Sequence, residues 1–300
     1  MKTKYSEIVD VEYVGRYENP ISLNDILRKA VEEGLAPSED DREKVMFLAI
    51  DVQQDFMDNG SLGVPGAIKD AERMTSFIYN YMDRISDIAV SLDTHLPQQI
   101  FHPCWWENEN GNVPAPYTFI TLADLDSGKW RPTSEPEWSR KYVERLEKDG
   151  KKTLCIWPYL CIHGTLGWAF ENQFANMVYF HSVARKAVVS RFIKGQDPLS
   201  EMYGIIKPEY DSAGYVNAEF LYALHKYDKV IIAGESKSHC VCESVRQILE
   251  LLPRNMWSKV YILEDCMSSI HGFEDATEKA FSEFKAKYNI NIVKTTDDIF

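Results

Sequence analysis

The chain has 300 residues, of which 45% are hydrophobic and 26% are charged, so it can bury a sizeable core and is not a largely disordered protein. Its net charge of −13 lacks the basic footprint of nucleic-acid-binding proteins, and acidity of this size mainly favours solubility. The sequence has no apolar N-terminal stretch and no run of about 18 apolar residues, so we expect neither a secretory signal nor a membrane partner.

Residues 1–44 mix charged and apolar residues with weak periodicity, and we interpret them as an N-terminal extension that wraps the following domain or contacts a partner. Within it, the segment ISLNDILRKAVEEGLAP predicts a short helix that stops at Gly34 and Pro37, because glycine and proline commonly end helices.

From residue 45 the pattern changes to an alternation of strands and helices, which predicts one domain over residues 45–300. Amphipathic stretches of helical period separate short apolar runs, which are typical of strands buried on both faces. This alternation predicts an α/β fold: a doubly wound, Rossmann-like, mostly parallel sheet with helices on both faces. The predicted strands are 45–51, 87–93, 153–158, 187–193, 229–235 and 259–265.

Residues 97–150 interrupt the alternation with six prolines and four tryptophans. Structureless loops of this length are uncommon, so we expect an ordered insertion. Two interpretations remain open: a flap over the active-site edge, or a structural element packed through its aromatic side chains.

The six cysteines include no CxxC pair, which argues against a structural zinc site of that kind. A chain of this length does not depend on disulfides, and several cysteines lie in apparent strands or helices. We therefore expect a reduced, cytoplasmic protein.

An acid, a lysine and a thiol follow three of the predicted strands. Asp51 ends the first strand, Lys194 follows the strand at 187–193, and Cys240 lies at a predicted helix start after the strand at 229–235. Because sites in open α/β sheets form beyond the carboxyl ends of the strands, we expect these three side chains to converge.

Each of the three residues also has an ordinary structural interpretation. Asp51 could cap a turn, Lys194 could be a solvated surface lysine, and Cys240 could be a small buried hydrophobe. A helix N-terminus and a nearby ammonium lower the pKa of a thiol, so a catalytic Cys240 is expected to have a depressed pKa and to alkylate quickly at neutral pH.

Five segments resemble motifs of the nicotinamidases and the wider isochorismatase-like cysteine hydrolases, in the same chain order over roughly residues 45–270. The proline-rich insertion resembles that of a longer subgroup of these hydrolases. The segments are LAIDVQQDF, SLDTH, IWPYLCIHGTLG, FIKGQDP and GESKSHCV.

The resemblance implies a catalytic triad in a cysteine amidohydrolase that cleaves a small carboxamide through a thioester. Cys240 would be the nucleophile, Lys194 would stabilise its thiolate, and Asp51 would carry the proton. It also implies a cis peptide bond at Glu235-Ser236 and an oxyanion hole formed by the backbone N–H groups of Ser236 and Cys240.

The same resemblance implies one divalent metal ion, zinc, manganese or iron, held by Asp93 and His95, with His102 as the third ligand. The sequence departs from the family pattern at Leu160, where a ligand histidine is common, and His163 is a doubtful substitute. The alternative is a metal-free polar pair of Asp93 and His95.

Substrate identity stays open at this stage. Nicotinamide is the first candidate, but its pyridine nitrogen would meet the metal, and Leu160 weakens that link. There are two alternatives. The protein could hydrolyse another amide or a carbamoyl substrate, or it could be a catalytically silent small-molecule binder. Isochorismatase chemistry proceeds without the cysteine, so Cys240 argues against it.

Family members are often oligomeric, which implies a homo-oligomer with residues 1–44 at its interface. By position, the candidate pocket residues are Phe56, Trp157 and Tyr203.

Overall fold

The computed structural model describes residues 1–300 and contains ten strands, six of which form one parallel sheet. In chain order the strands are β1 (Val45–Ile50), β2 (Asp87–Asp93), β3 (Trp106–Glu107), β4 (Phe119–Ile120), β5 (Arg131–Pro132), β6 (Leu154–Cys155), β7 (Ser190–Lys194), β8 (Lys229–Gly234), β9 (Val260–Leu263) and β10 (Asn291–Val293).

The main sheet has the order β10-β9-β8-β1-β2-β7, with every neighbouring pair parallel. The chain moves outward from β1 through β2 to β7, returns to β8 beside β1, and then moves outward in the other direction. This arrangement confirms the predicted doubly wound sheet. The strand order therefore reverses between β1 and β8, the place where open α/β sheets form their sites.

A close contact between the two central strands explains Gly234 at the end of β8. Gly234 has a φ of 122°, and a β-carbon built on it would lie 2.0 Å from the carbonyl oxygen of Ile50. Only glycine tolerates both this conformation and this approach.

Eight helices surround the sheet, and none of them is both long and apolar enough to cross a membrane. Helices α2 and α5 pack against each other, and α7 packs against α8. Because connections between parallel strands are right-handed as a rule and the chain leaves the centre of the sheet in two opposite directions, we infer that these two pairs lie on opposite faces. The helices are α1 (Leu23–Glu33), α2 (Ala67–Asn80), α3 (Leu122–Asp126), α4 (Pro136–Lys148), α5 (Asn172–Ala184), α6 (Ala218–Leu224), α7 (Cys242–Leu251) and α8 (Glu274–Tyr288).

The N-terminal extension packs on the outside of α5. The predicted short helix is present as α1, which ends at Gly34 in the left-handed conformation and contacts α5. The extension also buries Ile8 and Val9 in the main core. Helix α5 is therefore covered on both sides, which explains why its apolar residues are not confined to one face.

The prediction of a parallel strand at 153–158 is wrong. Only Leu154–Cys155 is extended, as strand β6, and it pairs antiparallel with β4 in a separate two-stranded sheet. The following backbone bonds to the insertion as well, since the N–H groups of Ile156 and Trp157 donate to Thr118 and Phe101. A short apolar run does not reveal which sheet it joins, and the sixth parallel strand is β10 instead.

The insertion at 97–150 is ordered, with strands β3, β4 and β5 and helices α3 and α4, and its buried apolar side chains belong to the main core. Trp105 and Trp106 are buried, and their indole N–H groups donate to Ser139 Oγ and to the Ile100 carbonyl. Phe119 of strand β4 lines a cleft that reaches Tyr203, a residue beside the predicted site. The insertion thus has aromatic packing and also approaches the active edge.

Candidate active site

Lys194 lies at the centre of the predicted site, and its side chain is almost completely buried. Its Nζ atom is 2.9 Å from Asp51 Oδ2, 3.0 Å from Asp93 Oδ1 and 3.5 Å from Cys240 Sγ. It also donates to the Met202 carbonyl at 3.3 Å. The structure therefore brings the three predicted catalytic residues together, and it adds Asp93 as a second carboxylate. We call Lys194, Asp51, Asp93 and Cys240 the Lys194 cluster.

Asp51 is the first residue after β1 and has a φ of 48°, in the left-handed region. Aspartate tolerates this region better than most residues, and such strained positions are frequent at functional sites. Ser91 on the neighbouring strand holds it in place. The Ser91 Oγ accepts from the Asp51 backbone N–H at 3.1 Å and donates to Asp51 Oδ1 at 2.7 Å.

Asp93 and His95 form a hydrogen-bonded pair at the end of β2. His95 Nε2 lies 3.0 Å from Asp93 Oδ2, and its Nδ1 lies 3.0 Å from the Gly195 carbonyl oxygen. Both partner atoms are oxygens that can only accept, so both ring nitrogens of His95 carry a proton and the imidazole is positively charged. Gln53 fixes the Asp93 backbone by accepting from its N–H at 2.7 Å and donating to its carbonyl at 2.8 Å.

The backbone after Lys194 requires glycine at position 195. Its φ is 76°, and a β-carbon there would lie 2.6 Å from Asp93 Oδ1 and 2.7 Å from His95 Cε1. The glycine thus lets the backbone approach the Asp93–His95 pair closely enough for its carbonyl to accept from the imidazole.

Cys240 follows β8 in a short π-helical turn, Lys237–Val241, that leads into α7. The peptide bond Glu235-Ser236 is cis, at the predicted position. Ser236 and Cys240, the predicted oxyanion-hole residues, both line the same small cavity. The buried Ser236 hydroxyl has no hydrogen-bond partner, so this part of the cavity presents an unused polar group.

The two carboxylates of the cluster have opposite pKa shifts. Burial raises the pKa of Asp51, and the Lys194 charge offsets only part of this effect. Burial also acts on Asp93, but the charges of His95 and Lys194 outweigh it and lower the pKa of Asp93. Two acids whose pKa values are pushed apart are suited to different roles, Asp51 to proton transfer and Asp93 to a fixed negative charge.

The resting thiol differs from the expectation. Burial raises the pKa of Cys240 well above its usual value, Lys194 lowers it, and the two carboxylates raise it further. The expectation of a depressed thiol pKa is therefore wrong for the resting site, because desolvation and two acids outweigh one ammonium and the helix terminus. Cys240 is a neutral thiol until it passes its proton to a base.

The cavity beside Cys240 has a volume of about 20 Å³, enough for about one water molecule. All three predicted pocket residues, Phe56, Trp157 and Tyr203, line it. Tyr203 and His239 also line an adjacent cleft of about 220 Å³ that carries Phe119. The side chains that separate the two spaces must therefore move before a substrate of several atoms can reach the thiol.

The metal ligands implied by the resemblance are not assembled as a set of three. His95 already donates from both nitrogens. His102 is buried, and its Nδ1–H donates to the Pro97 carbonyl oxygen at 3.1 Å, which leaves Nε2 without a partner. The His95 and His102 rings are 5.9 Å apart and perpendicular. His163 is exposed and packs on Trp168, and Leu160 lines the cavity.

A different group has its ligand atoms close enough to hold a metal ion. These atoms belong to Asp51, Asp93 and Cys240 and lie within 4.8 Å of one another. The Lys194 ammonium already contacts all three. The residues as arranged therefore do not fit a three-ligand metal centre, and we derive no catalytic step through a metal.

Three residues at the site were not identified from the sequence. Ser91 and Gln53 hold the two carboxylates, and Glu201 is a buried acid in the cavity wall. Ser91 shares the strand face of Asp93 two residues away, so the period-2 pattern of β2 could have indicated it. Gln53 lies in the recognised LAIDVQQDF segment, whereas nothing in the sequence marks Glu201.

The fold is shared with solved structures of nicotinamidases and pyrazinamidases. No protein-family model matches the chain, and no curated protein sequence matches it. The similarity is found instead among solved structures.

Three solved structures of nicotinamidases and pyrazinamidases illustrate the similarity. The yeast nicotinamidase is 20% identical, with a TM-score of 0.59 over 83% of this chain and 99% of that chain. A nicotinamidase/pyrazinamidase from Acinetobacter baumanii is 16% identical, with a TM-score of 0.59 over 85% and 98%. A pyrazinamidase from Pyrococcus horikoshii, solved in complex with zinc, is 18% identical, with a TM-score of 0.50 over 84% and 99%. At these identities the comparisons establish the shared fold.

Proposed function

We propose that the protein is a cysteine amidohydrolase that cleaves the C–N bond of a small carboxamide. The observation that carries the proposal is the Lys194 cluster. A thiol, an ammonium and an acid with a raised pKa meet within hydrogen-bonding or ion-pair distance at the switch point of the sheet. The shared fold with nicotinamidases supports the same reaction class.

The first half of the reaction forms a thioester. Cys240 passes its proton to Asp51 as its sulfur attacks the amide carbonyl carbon. The raised pKa of Asp51 favours this transfer, and Lys194 stabilises the negative charge on sulfur. Asp51 then gives the proton to the departing nitrogen, the C–N bond breaks, and ammonia or an amine leaves.

The second half hydrolyses the thioester. Asp51, again a carboxylate, takes a proton from water as the water oxygen attacks the thioester carbonyl. The C–S bond breaks, the carboxylic acid leaves, and the Cys240 thiolate recovers the proton from Asp51. In each half, we assign the backbone N–H groups of Ser236 and Cys240 to the developing oxyanion, an interaction often worth about 3 kcal/mol.

The charges explain why a buried site can hold two carboxylates. Asp51 and Asp93 carry two negative charges, and the ammonium of Lys194 and the imidazolium of His95 carry two positive charges. Removing one member of such a buried network leaves an uncompensated charge. We assign Asp93 and His95 to this balance, as positioning residues for Lys194.

Nicotinamide remains one candidate substrate, and other small amides or carbamoyl compounds are the alternatives. We likewise propose a homo-oligomeric assembly and a cytoplasmic location, but not a bound divalent ion, because the residues as arranged do not fit one. Zinc is present in the Pyrococcus horikoshii structure, whereas in this chain the Lys194 ammonium already contacts the group of three candidate ligands.

The test is ammonia release over a panel of small carboxamides. Cys240→Ala should lower kcat/KM at least about a thousandfold, because it removes the nucleophile. Cys242→Ala is the matched control. It changes a buried cysteine two residues away that does not line the cavity, and it should leave the rate near that of the unmodified protein. Full amide turnover by Cys240→Ala would refute the proposal.

A further inference from the structure

Glu201 is a buried acid that faces the cavity beside Cys240. It lies in the loop after β7, is 4% exposed, and lines the same small cavity as Cys240, Phe56 and Trp157. It has no part in the proposed proton transfers, which Asp51 carries. A carboxyl group in this position is available to the part of the substrate that does not react.

The hydrogen bonds of Glu201 leave half of its carboxyl group unused. Its Oε1 accepts from the Met202 backbone N–H at 2.8 Å, whereas its Oε2 accepts from no group of the chain. No lysine, arginine or histidine forms an ion pair with it. Burial raises the pKa of Glu201 to about 7, although the charges of His95 and Lys194 lower it and that of Asp93 raises it further.

The remainder of the cavity wall presents no competing charge to a ligand. Both nitrogens of His95 donate to protein acceptors, and Asp93 is paired with His95 and Lys194. The hydroxyl groups of Tyr203 and Ser236 can donate or accept, so they do not discriminate between ligand types. Most of the other lining side chains are apolar or aromatic: Phe56, Leu62, Trp157, Leu160 and Ile270.

We propose that Glu201 is a specificity-determining residue that selects amides with an N–H or cationic donor on an apolar, flat body. A donor placed against Oε2 satisfies an acceptor that would otherwise be desolvated when the substrate displaces water. Above about pH 7, where Glu201 is ionised, a ring nitrogen that is only an acceptor, as in nicotinamide, would face the carboxylate without a shared proton, and a carboxylate ligand would be repelled.

This inference rests on the proposed function for the placement of the reacting amide, but its test also has a readout that needs no turnover. The probes are pyrrole-3-carboxamide and 3-aminobenzamide, which carry donors, with benzamide and nicotinamide, which carry none outside the amide. At about pH 8, where Glu201 is ionised, we measure kcat/KM by ammonia release, and we measure Kd by calorimetry on Cys240→Ala protein. If no probe is hydrolysed but the donors bind selectively, the proposed function fails and the assignment of Glu201 stands.

We expect the donor amides to bind about tenfold or more tightly than nicotinamide, the discrimination typical of a buried polar group that must be satisfied. Glu201→Leu should abolish this preference, mainly through KM, and Glu201→Gln should restore part of it, because its amide oxygen can accept. Glu209→Leu is the matched control. Glu209 is also buried with a pKa raised to about 7, but it does not line the cavity.

Equal affinity for all four probes, or a preference for nicotinamide, would overturn the assignment. A loss of preference in Glu209→Leu as large as that in Glu201→Leu would also overturn it, since the effect would then be structural. If Glu201→Leu does not fold, Glu201→Gln decides. A reduced donor preference supports the assignment, and an unchanged one contradicts it.

Discussion

The Lys194 cluster and the cavity wall around Glu201 touch each other but treat buried charge differently. In the cluster, each carboxylate contacts the ammonium, and His95 supplies a second positive charge. In the wall, Glu201 has one backbone donor and no counter-ion. The charges of the first region are balanced within the chain, whereas the second contains a carboxyl oxygen that accepts from no group of the chain.

This difference indicates that the Lys194 cluster determines the reaction, whereas Glu201 determines which substrates bind. A cluster whose charges are balanced within the protein can perform the same chemistry on many carbonyl groups. An unbalanced acid in the wall discriminates between substrates, because a poorly matched ligand leaves it buried and unpaired. The two regions should therefore respond differently to substitution.

The largest expected effect comes from Lys194→Met, which removes the ammonium but keeps an apolar chain of similar length. It leaves two buried carboxylates without their shared partner, so we expect the free energy of unfolding to fall by about 3–5 kcal/mol. Lys129→Met is the control. The Lys129 pair with Asp124 is exposed on the lysine side, and such surface pairs contribute about 1 kcal/mol or less. Urea denaturation measures both variants.

Zinc provides a second readout on Lys194→Met. Without the ammonium, Asp51, Asp93 and Cys240 form an open group of three candidate ligands. Zinc should therefore stabilise this variant more than it stabilises the unmodified protein, since a ligand that binds only the folded state raises stability. An equal response of the two proteins to zinc would show that the ammonium does not occupy this site.

A smaller effect is expected in the reactivity of the thiol. Because burial and two acids raise the pKa of Cys240, its alkylation by iodoacetamide should be slow at about pH 7 and still rising at about pH 9. Asp51→Asn removes a charge that raises this pKa and should speed alkylation, whereas Lys194→Met should slow it. Peptide mapping by mass spectrometry follows each cysteine, with the more exposed Cys104 as internal reference.

Fast alkylation of Cys240 near neutral pH, levelling off below about pH 7, would contradict this description of the resting site. It would mean that the thiolate is already formed before substrate binds. Cys240 and Lys194 would then form a thiolate–ammonium ion pair in the resting site, and Cys240 would not be a neutral thiol.

The cluster could be predicted from the sequence because parallel strands align their carboxyl ends. Asp51, Lys194 and Cys240 each follow a recognisable buried strand or its helix, so topology alone brings them to one edge. The doubly wound fold followed from the same apolar runs. The helix α1 followed from its end signals, at Gly34 and Pro37.

The errors have physical causes too. Residues 153–158 have the composition of a buried strand, but their hydrogen bonds go to the insertion, and local pattern does not encode that choice. The thiol pKa depends on burial, which a helix-terminus argument ignores. Glu201 lies in an irregular loop, where no periodicity shows which way a side chain points.

The most direct test of the account is to trap the acyl-enzyme on Cys240. The protein is mixed with whichever amide of the panel releases ammonia fastest, quenched in acid within the first turnover, and analysed by peptide mass spectrometry. We expect that Cys240 gains the mass of the acyl group and that Cys242 does not. Product formation with no adduct, or with the acyl group on another residue, would contradict it.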